Sequence, residues 1–276
     1  MTNWTVQQAS EAARQRFPDP ASALLEAHLL LGRVLGMERS MLLAHPERRL
    51  SADEAARFFA LAERRAAGEP LAYILGERAF YDGVLRVTPD VLIPRPETEL
   101  LVEQALAYTA GRALVAADIG TGSGAIAISY ARHAPQALVY ATDISPQALE
   151  VAQSNAAGLP IYFLHGDLGA PLIELGVQVD VVMANLPYLT TRECDELDVG
   201  RYEPRLALDG GRDGLEVVRR LLAQTPRLCA PRAALFLEIG AGQGDAALDL
   251  AFLLRPHAAH LVQDLAGRDR LLVIML

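Results

Sequence analysis

The chain has 276 residues, 51% of them hydrophobic and 21% charged, enough to bury one large core or two smaller ones in one to two globular domains. All 25 basic residues are arginine, which removes a P-loop lysine, a Schiff-base lysine and a lysine general base together. The formal charge of −9 lies beyond residue 75, where 16 Arg face 25 Asp and Glu; an acidic half repels a phosphate backbone and argues against a general nucleic-acid binder.

The start, Met1-Thr-Asn-Trp-Thr5, has neither a basic nor an apolar leader pattern, and no apolar run is long enough to span a bilayer, so a cytoplasmic protein without membrane association is expected. Residues 3 to about 75 read as helical, rich in alanine, leucine and arginine and poor in β-branched residues. Asp19-Pro20 suits an N-cap and first helical position, and Ser51-Ala-Asp-Glu54 suits a capping box. Leucine and phenylalanine at three- and four-residue spacing predict a small helical bundle over 1–76. His28 and His45 read as structural, since neither has partner ligands at metal spacing.

After Gly68-Glu-Pro70, the alternation Phe80-Tyr-Asp82-Gly83-Val-Leu-Arg-Val87 predicts a hairpin in a linker over 77–96. Pro94-Arg95-Pro96 fixes an extended approach, and Thr98 or its predecessor is expected to cap a helix carrying Glu99 in its first turn.

From Ala113 strands alternate with helices, which predicts an α/β domain over 97–276. Leu114 to Ile119 runs into Gly120-Thr121-Gly122-Ser123-Gly124, where glycines let the backbone turn tightly and approach a ligand. A lone Gly-x-Gly-x-Gly is also what a nicotinamide-binding unit carries; Asp118 just before it would repel a pyrophosphate and suits a cationic, sulfonium-bearing amino acid. The next strand ends at Asp143, spaced to bind ribose hydroxyls, and the third ends in Gly166-Asp167, where a carboxylate can accept from an adenine amine.

The fourth strand, Val181 to Ala184, is apolar on both faces and is stopped by Pro187. It leaves Asn185 and Tyr188 at its carboxyl end, an amide and a flat ring that suit a planar group bearing an NH2, although Asn-x-Pro-Tyr is also an ordinary turn. Ala233 to Gly240 is a fifth strand, with two more at His260 to Asp264 and Leu271 to Leu276. Gly240-Ala-Gly-Gln-Gly244 reads as a strand-to-helix turn, for want of an acid set around it. Cys194 and Cys229 form no disulfide framework and lack metal-ligand spacing, and no metal is expected.

These motifs resemble class I S-adenosylmethionine-dependent methyltransferases that act on planar NH2 nitrogens. Pro94-Arg95-Pro96-Glu97-Thr98-Glu99 and Arg201 to Gly214 narrow the resemblance to release factor glutamine methyltransferases of the HemK/PrmC type, over nearly the whole chain. The resemblance implies a Rossmann-like, seven-stranded, mostly parallel sheet preceded by the all-α bundle and hairpin. It implies S-adenosylmethionine held by Asp118, Gly120, Thr121, Gly122, Ser123, Gly124, Asp143, Asp167, Leu168 and Asn185, and a catalytic set of Asn185, Leu186, Pro187 and Tyr188. The family usually has Asn-Pro-Pro-Tyr; Leu186 replaces the first proline here, as in some adenine methyltransferases acting on ribosomal RNA.

The expected reaction is methylation of a glutamine amide nitrogen in the Gly-Gly-Gln motif of a peptide chain release factor, with the bundle recognising that protein, no direct nucleic-acid binding and a monomeric enzyme. The alternative is an adenine amino-group methyltransferase acting on RNA or DNA.

Overall fold

The computed structural model describes residues 4–276, apart from the side chains of Asp198 and Val199. The chain forms two compact units, one up to Glu77 and one from Arg78 to Leu276.

The first unit holds α1 (Val6–Arg14), α2 (Ala23–Leu35), α3 (Arg39–Ala44), α4 (Ala52–Ala66) and α5 (Leu71–Leu75). Helix was expected from residue 3, which lies outside the described residues; α1 starts after Thr5, which makes a capping box with Gln8. The Ser51–Glu54 box opens α4 as the spacing predicts. Asp19-Pro20 does not open α2. Asp19 instead accepts from the Ala21 N–H and the Ser22 hydroxyl, so residues 19–22 close a turn and α2 begins at Ala23. Val6, Leu30, Leu31, Leu42 and Phe58 fill the bundle core.

The hairpin of β1 (Glu77–Phe80) and β2 (Gly83–Arg86) lies, from Arg78 on, in the second unit. Its turn is one residue earlier than the Asp-Gly signal suggests: Tyr81 takes the left-handed conformation, while Gly83 opens β2. Gly83 lies so close to Arg132 that a Cβ would sit 2.5 Å from its guanidinium. Phe80 and Leu85 bury against the sheet's core.

A 3-10 turn (Pro96–Thr98) leads into α6 (Glu99–Thr109). Then come β3 (Val115–Ile119), α7 (Ala125–His133), β4 (Leu138–Asp143), α8 (Pro146–Asn155), β5 (Ile161–His165), α9 (Ala170–Glu174), β6 (Val179–Ala184) and α10 (Thr191–Glu196). The unit ends with α11 (Glu216–Leu228), β7 (Cys229–Glu238), α12 (Gly244–Phe252), β8 (Ala258–Gln263) and β9 (Asp269–Met275). The seven-stranded sheet runs β5-β4-β3-β6-β7-β9-β8, parallel except for the antiparallel pairing of β9 with β7 and β8.

Successive strand residues alternate between two apolar layers. Ala116, Val181, Met183 and Phe236 pack on one face, and Ala117, Val182, Ala184 and Leu235 on the other. That double burial is why the strands read as continuous apolar runs. Strand order reverses between β3 and β6, so the connections leaving those two strands diverge and open a crevice at their carboxyl ends.

Candidate active site

The crevice is a cleft of about 550 Å³. Its walls include Gly120, Thr121, Gly122, Ser123, Asp143, Asp167, Leu168, Asn185, Leu186 and Pro187, so residues from the ends of β3, β4, β5 and β6 meet there as their spacing predicts. Asp118, Gly124 and Tyr188 are not on that wall.

Asp118 is fully buried beneath the glycine loop. Its Oδ2 accepts from the Thr121 hydroxyl (2.6 Å) and the Ala127 N–H (3.1 Å), tying the loop to the first turn of α7. Burial pushes its carboxyl up to about 7. The carboxylate is off the cleft wall and shapes the loop from below. Its Oδ1 is buried without a hydrogen-bond partner among the described residues. Gly124 likewise faces inward, with a Cβ there meeting Ile128 at 2.9 Å and Ala152 at 3.2 Å. Gly122 is its opposite: left-handed at φ 55°, with open space where a side chain would stand.

Asp143 lines the cleft and fixes it. The Gly122 N–H donates to its Oδ2 (2.8 Å) and the Ser145 N–H to its Oδ1 (2.9 Å), while burial raises its pKa. Asp167 reaches the wall but is ion-paired with Arg220, another wall residue, an attachment the sequence did not signal. Leu168 is held left-handed at φ 53°, an uncommon state for a branched side chain, and its carbonyl accepts from Thr142 (2.8 Å).

Beyond β6, Leu186 is buried against Gly120, where a Cβ would come 3.3 Å from its Cδ2. The following backbone is braced from two sides. Leu189 donates to the Leu208 carbonyl (3.0 Å) and accepts from the Gly210 N–H (2.8 Å). Gln243 donates from Nε2 to the Tyr188 carbonyl (2.9 Å) while its Oε1 accepts from the Gly240 N–H (2.8 Å). The second glycine cluster is thus the strand-to-helix turn expected, with a clamp in it that the sequence did not show. Tyr188 lines a smaller neighbouring pocket with Leu92, Arg95 and Leu189, and burial pushes its phenol up to about 12.

Asn185 is held by residues that sequence reading missed. Its Nδ2 donates to Thr98 Oγ1 (3.0 Å), and the Thr98 hydroxyl donates onward to Glu238 Oε2 (2.6 Å). Thr98 therefore does not cap α6; the 3-10 turn of Pro96–Thr98 runs straight into that helix and frees the hydroxyl. Asn185 Oδ1 is left buried with no hydrogen-bond partner among the described residues. Arg95, held between its prolines, pairs with Glu203, which also accepts from the Ile93 N–H (3.0 Å). That pair fastens Pro94, itself on the cleft wall, to the segment around Pro204.

A seven-stranded, mostly parallel sheet with a glycine loop after β3, an acid at the end of β4 and Asn-Leu-Pro-Tyr after β6 defines a methyltransferase. Residues 116–198 match the family described as methyltransferase domain, and residues 8–76 match the PrmC N-terminal domain. The release factor glutamine methyltransferase of Moorella thermoacetica is 46% identical over 253 residues, covering 89% of each chain. That of Bordetella pertussis is 43% identical over 258 residues, covering 92% of this chain and 95% of its own. Among solved structures, the ribosomal protein L11 methylase of Lactobacillus delbrueckii subsp. bulgaricus shares the fold at a TM-score of 0.50 and 21% identity, over 69% of this chain and 83% of its own. The chain belongs to the release factor glutamine methyltransferase family.

Proposed function

We propose that this protein transfers a methyl group from S-adenosylmethionine to the side-chain amide nitrogen of a glutamine in a peptide chain release factor. The observation that carries this reading is Asn185 on the cleft wall, its Nδ2 committed to Thr98 and its Oδ1 an unpaired buried acceptor. Such an atom costs about 1–3 kcal/mol, a cost that an N–H from a bound carboxamide relieves. The names of the Moorella and Bordetella relatives support glutamine over an adenine amine.

S-adenosylmethionine supplies, when bound, an electrophilic methyl group on a cationic sulfonium. The cleft fits it: Asp143 would offer a carboxylate to ribose hydroxyls, Asp167 and Leu168 would meet the adenine edge, and the open backbone at Gly122 would leave room for the methionine part. Asp118 acts from beneath by holding that loop.

An amide nitrogen is a poor nucleophile because its lone pair is delocalised into the carbonyl. Asn185 Oδ1 and the Leu186 carbonyl accept its two N–H groups and aim it, while Tyr188, in the neighbouring pocket, acts through the backbone brace that its carbonyl makes with Gln243. Orientation can supply up to ~7–11 kcal/mol of a barrier, and one well-placed polar group ~3–4 kcal/mol. The surplus proton leaves to solvent after transfer. Residues 1–76 serve recognition of the protein substrate, and the reaction takes place in the cytoplasm, where release factors act; among the described residues no helix is long and apolar enough to cross a membrane.

The test is an assay with methyl-labelled S-adenosylmethionine on purified release factor beside total RNA. Label in the release factor supports the reading; label in RNA alone replaces it with the adenine reaction.

A further inference from the structure

We infer that Thr98 and Glu238 are positioning residues that decide which end of the Asn185 amide is offered to the substrate. The inference rests on the glutamine reading above and adds the two residues that give it direction.

The three side chains come from distant parts of the chain: Thr98 from the 3-10 turn after Pro94-Arg95-Pro96, Asn185 from the end of β6 and Glu238 from the end of β7. A hydroxyl has one hydrogen and two lone pairs. Thr98 gives its hydrogen to Glu238 at 2.6 Å, so only lone pairs remain toward Asn185, and only an N–H is satisfied there. The amide must therefore turn Nδ2 toward Thr98 and leave Oδ1 as the open acceptor. Without a strong acceptor behind it, the Thr98 hydrogen could turn to Asn185 and hold the amide reversed, presenting an NH2 to the substrate's NH2.

Two observations separate this from ordinary scaffolding. Thr98 makes no capping bond to α6, so the hydroxyl has no helical task. Glu238 is only 3% exposed, a costly place for a carboxylate whose one hydrogen bond to another side chain among the described residues runs to Thr98. Burial raises its carboxyl, while the Thr98 hydroxyl, Arg270 on β9 and Arg95 before the 3-10 turn pull it back down and Glu97 adds to the rise.

The experiment measures kcat and KM for release factor, and separately the Kd for S-adenosylmethionine, in five variants. Thr98→Val, which keeps shape and loses the hydroxyl, should lower kcat on the order of 10- to 100-fold, as misplacement of a catalytic group by about 1 Å does, with KM and Kd within about twofold of the parent. Thr98→Ser should recover most of that loss, and Glu238→Met should reproduce it. In an Asn185→Ala background, Thr98→Val should cost nothing further, because its effect passes through Asn185. The inference is overturned if Thr98→Val turns over like the parent, if Thr98→Ser is as damaged as Thr98→Val, if cofactor binding is lost along with turnover, or if the losses simply multiply. A parent enzyme that leaves release factor unmethylated would instead remove the glutamine reading itself.

Discussion

The Gly122 amide donates to Asp143 Oδ2 across 2.8 Å, locking the tip of the glycine loop after β3 to the end of β4. One carboxylate thereby shapes the loop and lines the cleft beside it. Asp143→Ala should weaken S-adenosylmethionine binding by on the order of a hundredfold, since losing both the ligand contact and the loop anchor removes at least two charge-assisted bonds. Calorimetric titration checks it; an unchanged Kd would take Asp143 out of the cofactor site.

Asn185→Ala separates binding from chemistry. Cofactor affinity should stay within about twofold while turnover falls on the order of a hundredfold or more, the loss typical of one oriented polar group. Retained turnover would remove Asn185 from the reaction.

Gly214 sits left-handed at φ 74°, and a Cβ there would come 2.2 Å from the Tyr188 carbonyl and 2.4 Å from Gln243 Nε2. Gly214→Ala must therefore push the Asn-Leu-Pro-Tyr backbone, which should lower kcat by on the order of tenfold or more because aim is sensitive to small shifts. The glycine loop after β3 is untouched, so cofactor affinity should hold. Normal turnover would show that this brace is dispensable.

Burial pushes Glu238 from an ordinary 4.5 up to about 7. A carboxylate raised in the folded state contributes stability that is fully present below its unfolded value and lost as pH rises through the folded value. Glu238→Gln cannot ionise, so its thermal midpoint should gain on the parent's as pH climbs from about 5 to about 8. A gap between the two that does not vary with pH would contradict the shift.

Much of this architecture is legible in the chain because strand ends carry their chemistry beside them: Asp143, Gly166-Asp167 and Asn185 each follow an apolar run, and the structure brings them to one edge. What could not be read are partnerships across long separations. Thr98 looked like a helix cap because Thr before Glu99 has that local pattern, and nothing local announces an acceptor 140 residues away. Arg220 on Asp167, 53 residues apart, and Gln243 on Tyr188, 55 apart, were invisible for the same reason. For Asp118 the spacing puts a carboxylate beside the loop, and only the fold shows that it lies beneath it.

Tandem mass spectrometry of release factor incubated with this enzyme and S-adenosylmethionine tests the central claim most directly. The account predicts a single added methyl group, located on the side-chain amide of one glutamine and formed on the order of a hundredfold or more slowly when Asn185→Ala replaces the parent enzyme. A release factor that emerges unmodified, or carries its methyl on any other residue type, would contradict it.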